Sequence, residues 1–291
     1  MLLREAEIAL YQAKRRGSLT VSVFDEIMRK YSEQHIILHH EMLEGLKNGQ
    51  FSVHYQPVLD TESQQFSHCE ALIRWYHPER KWVTAREFIS IAEQTGAIVE
   101  IGQFVFEQVL RDWAILQQAG FELNIAINRS VREFVDRDVA ANWLAKLDNA
   151  HMPHHARIIE ITESMLMDRN KRQVQHLEML RKNGIKIAID DFGTGYSSLP
   201  YLRKYPVDII KIDRSFLTNV SIDDTQTALV NGFLDIARSL GLTVIAEGLE
   251  TAAQADYLAA KGCHYQQGFL YARPMPLSDL LEFLRGEEKG S

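Results

Sequence analysis

Oxygen-bearing side chains recur in this sequence at the ends of apolar runs, and a lysine recurs with them. Glu70 stands just before Ala-Leu-Ile-Arg-Trp, and Asn128 closes the run 123–128. Glu160 and Glu163 flank Ile161-Thr162, Asp190-Asp191 follow the run Ile185 to Ile189, and Lys211 and Asp213 surround Ile212. Glu247 and Gln267 end two further runs. A single such residue would be an ordinary strand-end carboxylate, or for Asp190-Asp191 a helix cap. Several converging on one place must instead be paired or bound to metal, because an unpaired buried carboxylate is costly. Carboxylates and an amide, without His or Cys, favour Mg2+ or Mn2+ over zinc. Five or more oxygen donors exceed what one ion needs when it keeps several waters. Two ions a few Å apart clamp a phosphodiester for in-line attack.

The elements that must bring these residues together are strands alternating with helices. Strand-like runs occupy 51–58, 66–73, 123–128, 157–162, 185–190, 207–212, 242–247 and 263–267. Helical spacing marks 87–95, 99–119, 131–148, 169–183, 197–204, 223–240 and 251–261. Such alternation implies a largely parallel sheet, and eight units in this length imply an α/β fold, a (β/α)8 TIM-like barrel. Only residues 60–65 separate the first two runs, too few for a crossover helix. Strand one is therefore expected to run antiparallel to strand two, and a turn near Ser63 would set Gln56 opposite Glu70. Barrel sites lie at the carboxyl ends of the strands, where the polar residues named above fall.

Composition narrows the function classes. The 291 residues are 46% hydrophobic and carry a formal charge of −7. That charge disfavours duplex nucleic acid or an anionic membrane as partner. No apolar run reaches the length of a membrane span. Cys69 and Cys263 sit in apolar runs and read as buried free thiols, consistent with a reducing cytoplasm. His151, His154 and His155 cluster in HMPHHAR but read as a solvated loop. His54 and His68 read as barrel-face residues, and Leu177, Leu180, Phe233 and Leu234 as helix packing.

In order, the chain presents YQP (55–57), EALIRW (70–75), NRS (128–130), EITE (160–163), DDFGTGYSSL (190–199), KID (211–213), AEGLE (246–250), QG (267–268) and RPMP (273–276). This series resembles the EAL domains that hydrolyse cyclic di-GMP, over roughly residues 36–286. The resemblance implies metal ligands at Glu70, Asn128, Glu160, Asp190, Asp191 and Glu247, with two ions, Mg2+ or Mn2+. It implies that Lys211, Glu247 and Gln267 serve catalysis, Lys211 holding the attacking water and Glu247 a candidate general base. It further implies substrate contacts at Leu72 and Arg74, contacts at Gln56, Asp213 and Glu250 either to the guanines or to the groups that hold the substrate, and a loop anchored by Glu163. The implied reaction opens one ester bond of cyclic di-GMP to give linear pGpG. A homodimer is implied too. The alternative is an inactive receptor that binds cyclic di-GMP, or a regulatory module.

Two departures stand out: Arg129 replaces the apolar residue of the usual N-L-S segment, and the loop 80–86 lacks the usual Gly and Pro. Upstream, AEIALYQAKRRGS (6–18) resembles the tail of GGDEF (diguanylate cyclase) domains. The expected organisation is therefore a GGDEF remnant at 1–25, a linker at 26–35, the barrel at 36–286 and a tail at 287–291. The rest of the GGDEF domain and an upstream sensor are then missing partners.

Overall fold

The structure, a computed structural model, describes residues 21, 23–163, 165, 171–195, 202, 204–220 and 224–290. The GGDEF-like segment 6–18 lies outside these residues, as does most of the helix expected at 197–204. Ahead of the first helix, Val21, Val23 and Phe24 stand outside any strand.

The chain divides into two compact units. The smaller contains the described residues up to Phe51 and Trp75–Ile98. Its helix α1 (Glu26–Lys47) covers the expected linker and runs on into the expected barrel segment. Over residues 35–47 of it, Leu38, Met42 and Gly45 are buried, at spacings that share one helix face. Phe51 stacks on Trp75 at 5.0 Å, and Phe88 meets both rings edge-on. Phe88 belongs to α2 (Ala85–Thr95), which stops at Gly96 in the left-handed region at φ 93. The segment 80–86, read from sequence as a loop, instead folds a short strand, Lys81–Val83, antiparallel onto residues 75–77. Its turn is held by His77 Nδ1, which accepts from the backbone N–H groups of Glu79 and Arg80, and by a Tyr76–Trp82 edge contact.

The larger unit, Ser52–Arg74 and Val99–Ser291, is the barrel. Its strands are β1 (Phe51–Asp60), β2 (Phe66–His77), β4 (Asn124–Arg129), β5 (Arg157–Thr162), β6 (Lys186–Phe192), β7 (Ile209–Ile212), β8 (Thr243–Ala246) and β9 (Tyr265–Gln266); Lys81–Val83 is β3. Neighbours run β1-β9-β8-β7-β6-β5-β4-β2, and a β1–β2 pairing closes the ring. From β2 through β9 every neighbouring pair of the ring is parallel, whereas β1 is antiparallel to β9. The reversed first strand follows from its short turn. Asp60 N donates to Gln65 O at 2.9 Å, Asp60 Oδ1 caps Glu62 N, and Gln64 takes φ 58.

Parallel strands covered on both faces need apolar residues on both faces. Ile125/Ala126, Ile158/Ile159, Ala188/Ile189 and Ile209/Ile210 meet that need and are all buried. The covering helices are α3 (Ile98–Gln118), α4 (Val139–Asn149), α5 (Lys171–Lys182), α6 (Asp224–Leu240), α7 (Ala252–Ala260) and α8 (Leu277–Gly290). Helical spacing over 131–148 predicts one helix, but the chain makes a 3-10 turn at Val131–Val135 before α4. The break has a local cause. Ser130 and Glu133 form a reciprocal capping box, and Glu133 Oε2 is held at 2.8 Å by the buried Arg129. Arg129 is thus accommodated outside the barrel wall. It donates to Gly102 O and lies 4.3 Å from the Trp143 ring centre.

Candidate active site

Inside the barrel one belt of apolar side chains closes the core: Val58, Ala126, Ile158, Ala188, Ile209 and Ile245, with Tyr265 packed against it. Side chains alternate across a strand with period two. One step of that period toward the carboxyl end lands on Asn128, Glu160, Asp190, Lys211, Glu247 and Gln267. On the reversed strand β1 the same level is reached by stepping back, from Val58 to Gln56. On β2, His68 packs edge-on to Tyr265 at 4.4 Å, and the next inward position is Glu70. A single ring of polar residues therefore lies directly above the apolar belt.

Lys211 is at its centre and is 1% exposed. Its Nζ lies 2.6 Å from Glu247 Oε1, 2.8 Å from Glu160 Oε2, 3.1 Å from Asp190 Oδ1 and 3.4 Å from Glu70 Oε2. Asn128 Nδ2 donates to Glu70 Oε1 at 2.7 Å, and Gln267 Nε2 donates to Glu70 Oε2 at 2.8 Å. The same Gln267 Nε2 reaches Gln56 Oε1 at 3.0 Å, so Gln56 and Glu70 meet through Gln267.

Asp191 joins the ring by a different device. Adjacent residues in a regular strand face opposite sides, yet Asp190 and Asp191 place oxygens in one cluster. The β6–β7 register shifts between Ile189 and Phe192, and Asp191 takes φ 54, left-handed for a non-glycine residue. A bulge of this kind re-aims a side chain. Two groups of ligand atoms result, each within 4.8 Å of one another: Glu70, Glu160 and Asp190; and Asp190, Asp191 and Glu247. Asp190 is common to both. The loop that follows is tied down by Glu163, whose Oε2 accepts from Gly193 N at 3.1 Å and Gly195 N at 3.3 Å.

Electrostatics follow from burial. Burial drives Lys211 toward neutrality, but the four carboxylates outweigh it and raise its pKa well above the ordinary value. Burial would raise Glu70 too, yet Lys211 and the Gln267 and Asn128 amides hold it below the usual carboxylate range. Glu160 is raised well above that range by burial, with the Glu70 charge adding to it. Glu247 is pushed up to about 8, first by burial and then, against the pull of Lys211, by Asp190 and Glu70. Asp191 is also raised, by burial and by Asp190.

One consequence concerns stability. A carboxyl whose folded pKa lies above its unfolded value binds more protons folded than unfolded, so the fold loses stability as pH rises through that window. For Glu247 the window runs from its ordinary 4.5 to about 8. Without divalent ions, thermal unfolding is expected to drop by about 5 °C or more between pH 6 and pH 8.5. Divalent ions should abolish most of that slope, as read by scanning calorimetry with and without chelator.

The remaining sequence candidates are placed as follows. Arg74, half-buried, donates to the Ile73 carbonyl at 2.9 Å, and burial lowers its pKa. Leu72, two residues before it on β2, is half-buried. Asp213 Oδ1 caps Ser215 N at 3.0 Å at the head of a 3-10 turn. Glu250 is exposed, and its backbone N–H donates to Gln254 Oε1 ahead of α7. His154 bonds Asp148 and the Asn183 carbonyl, and no histidine enters a metal-type cluster among the described residues. Cys69 and Cys263 are buried and unbridged. Sequence reasoning missed two supporting features. Ala272 O accepts from Gln56 Nε2 at 3.0 Å, and Gly268 lies against the backbone of Leu249. A Cβ at Gly268 would overlap Leu249 N and O. Those atoms bond Gln267 O and Leu270 N. Gly268→Ala is therefore expected to cost about 3 kcal/mol or more, measurable by urea unfolding.

Among the described residues, no helix is long and apolar enough to cross a membrane. Among known proteins, the chain is similar to MucR of Pseudomonas aeruginosa, named a bifunctional diguanylate cyclase/cyclic di-GMP phosphodiesterase, with 37% identity over 96% of this chain and 41% of that protein. It is similar to the cyclic di-GMP phosphodiesterase PdeR of Escherichia coli, with 34% identity over 94% of this chain and 42% of that one. The chain thus spans about two fifths of these relatives. Among solved structures, the MucR phosphodiesterase in complex with c-di-GMP superposes with a TM-score of 0.79 at 37% identity, covering 84% of this chain and 99% of that one. The family model described as EAL domain matches residues 39–274. With that match over most of its length, and with its polar ring set above a closed barrel, the chain belongs to the EAL domain family.

Proposed function

We propose that this chain is a metal-dependent phosphodiesterase that hydrolyses cyclic di-GMP to linear pGpG. One observation carries the reading: two oxygen-donor groups share Asp190 and surround a buried lysine at the carboxyl end of the barrel. The donors are all hard oxygen atoms, which suits Mg2+ or Mn2+. Five carboxylates and one ammonium leave a formal −4, the charge that two divalent cations neutralise. Glu70, Asn128, Glu160 and Asp190 would hold one ion, and Asp190, Asp191 and Glu247 the other. Bound there, the ions would acidify water and offset the charge of the phosphodiester.

The chain's own groups do the positioning. Lys211, held by four carboxylates, offers a fixed cation where negative charge develops at phosphorus. Asn128 and Gln267 fix the two oxygens of Glu70. Glu247, with its raised pKa, is suited to take the proton of the attacking water once its surroundings ionise it. Arg74 supplies a second cation for a phosphate oxygen, and Leu72 an apolar contact. Asp213 and Glu250, which follow β7 and β8, would offer carboxylates to guanine N–H groups. Self-association through the loop that Glu163 anchors belongs to the same proposal. A binding-only receptor would not require the whole donor set, and here the set is complete.

The deciding experiment incubates the purified chain with cyclic di-GMP and Mg2+ or Mn2+ and separates the products by chromatography. The expected result is pGpG that forms with metal and not with EDTA. Binding of the dinucleotide without product under either metal would refute the enzyme reading in favour of the receptor.

A further inference from the structure

Both ends of the Gln56 amide are hydrogen-bonded. Its Nε2 donates to the Ala272 carbonyl at 3.0 Å, and its Oε1 accepts from Gln267 Nε2 at 3.0 Å. Gln267 Nε2 also donates to Glu70 Oε2 at 2.8 Å. Both ends of this relay are groups that only accept: a backbone carbonyl and a carboxylate. Turning either amide over would set oxygen against oxygen. The sense of both amides is therefore dictated by the anchors. The Ala272 anchor is itself fixed, because Tyr55, the neighbour of Gln56, exchanges backbone hydrogen bonds with Met275 at 2.7 and 3.0 Å. One atom is left over. Gln267 Oε1 is buried, in a residue 4% exposed, and has no hydrogen-bond partner among the described residues. A buried acceptor without a donor is costly unless function uses it.

We infer that Gln56 is a positioning residue: it locks the amide of Gln267 so that Gln267 Oε1 stands as a preset acceptor for the hydrogen of the attacking water. Of the two roles open to Gln56, this excludes direct contact with guanine, since both of its polar atoms already make hydrogen bonds inside the barrel. The inference rests on the phosphodiester hydrolysis proposed above, but the relay itself can be read without turnover.

The test has two arms. In the metal-free protein, the side-chain amide of Gln267 is assigned by nitrogen-15 NMR through its loss in Gln267→Met. Its hydrogen exchange should be slow, and at least about tenfold faster in Gln56→Met, because one of its two acceptors is gone. In the unmodified protein, adding cyclic di-GMP should leave the Gln56 side-chain amide resonance unmoved. A large shift would mean that Gln56 touches the ligand and would overturn the inference, with no variant needed. In the turnover arm with Mg2+, Gln56→Met should lower kcat about tenfold or more with KM within about threefold. A raised KM at unchanged kcat would also overturn it. If the unmodified chain fails to cleave cyclic di-GMP, the hydrolysis proposal falls. The exchange arm still decides whether the relay exists.

Discussion

Lys211→Met is expected to separate turnover from binding. The substitution keeps most of the side-chain volume but removes the ammonium from among Glu70, Glu160, Asp190 and Glu247, all within 3.4 Å of Nζ. A preorganised cation in a water-poor site stabilises developing charge strongly, so kcat should fall about a thousandfold. Affinity for cyclic di-GMP, measured by calorimetry, should change by less than about tenfold, since the lysine is 1% exposed and offers the ligand little surface. A second effect is expected in the metal-free protein. Removing one partner from a buried charge cluster costs about 3–5 kcal/mol, which for a domain this size lowers the thermal midpoint by about 10 °C. Divalent ions should restore most of that loss, because they replace the missing positive charge. Turnover near the unmodified rate would reduce Lys211 to a structural counter-ion.

Glu70→Ala is expected to abolish metal-dependent formation of pGpG, with a loss of at least about a thousandfold. The side chain has three roles at once. It is a donor in the Glu70–Glu160–Asp190 group, it accepts from Asn128 and Gln267, and it faces Lys211. Its removal frees the Asn128 amide and leaves the Gln267 amide held by Gln56 alone. Titration of Mn2+, followed by its electron paramagnetic resonance signal, should show at least one fewer tight site. Retained product formation with undiminished Mn2+ binding would remove Glu70 from the site. Glu70→Gln distinguishes the roles, because it keeps an acceptor for one amide while lowering the charge. It should recover folding stability but little turnover.

Much of this molecule was legible in its sequence. The eight apolar runs predict the strands of the barrel, since parallel strands buried on both faces must be apolar on both. The short link at 60–65 predicts the reversed first strand, because no helix fits there. The polar ring was legible for the same reason: each strand is rigid and alternates with period two, so a polar residue two places beyond a core residue must share its face. Glu160 after Ile158 and Lys211 after Ile209 are direct readings of that rule. The helix expected at 131–148 failed because apolar spacing does not register a capping box, and Ser130 with Glu133 starts a separate turn. The loop expected at 80–86 failed because Trp82 pairs with Tyr76 across a hairpin, a contact that local composition does not encode.

The sequence by itself determined which residue types stand at the mouth, and hence the hard-oxygen character of the site. Only the tertiary structure decided how they combine. Asp190 and Asp191 would face opposite ways in a regular strand, and the bulge that brings both inward depends on the mismatch of β6 with β7. Lys211 acquires four carboxylate neighbours from β2, β5, β6 and the end of β8, which no local pattern predicts. The sense of the Gln267 amide is set by Ala272 through Gln56, residues separated by 216 positions in the chain. Alternation along a strand is a property of the backbone and can be read locally. Register between strands, and the closure of a ring, arise from packing over the whole barrel and cannot.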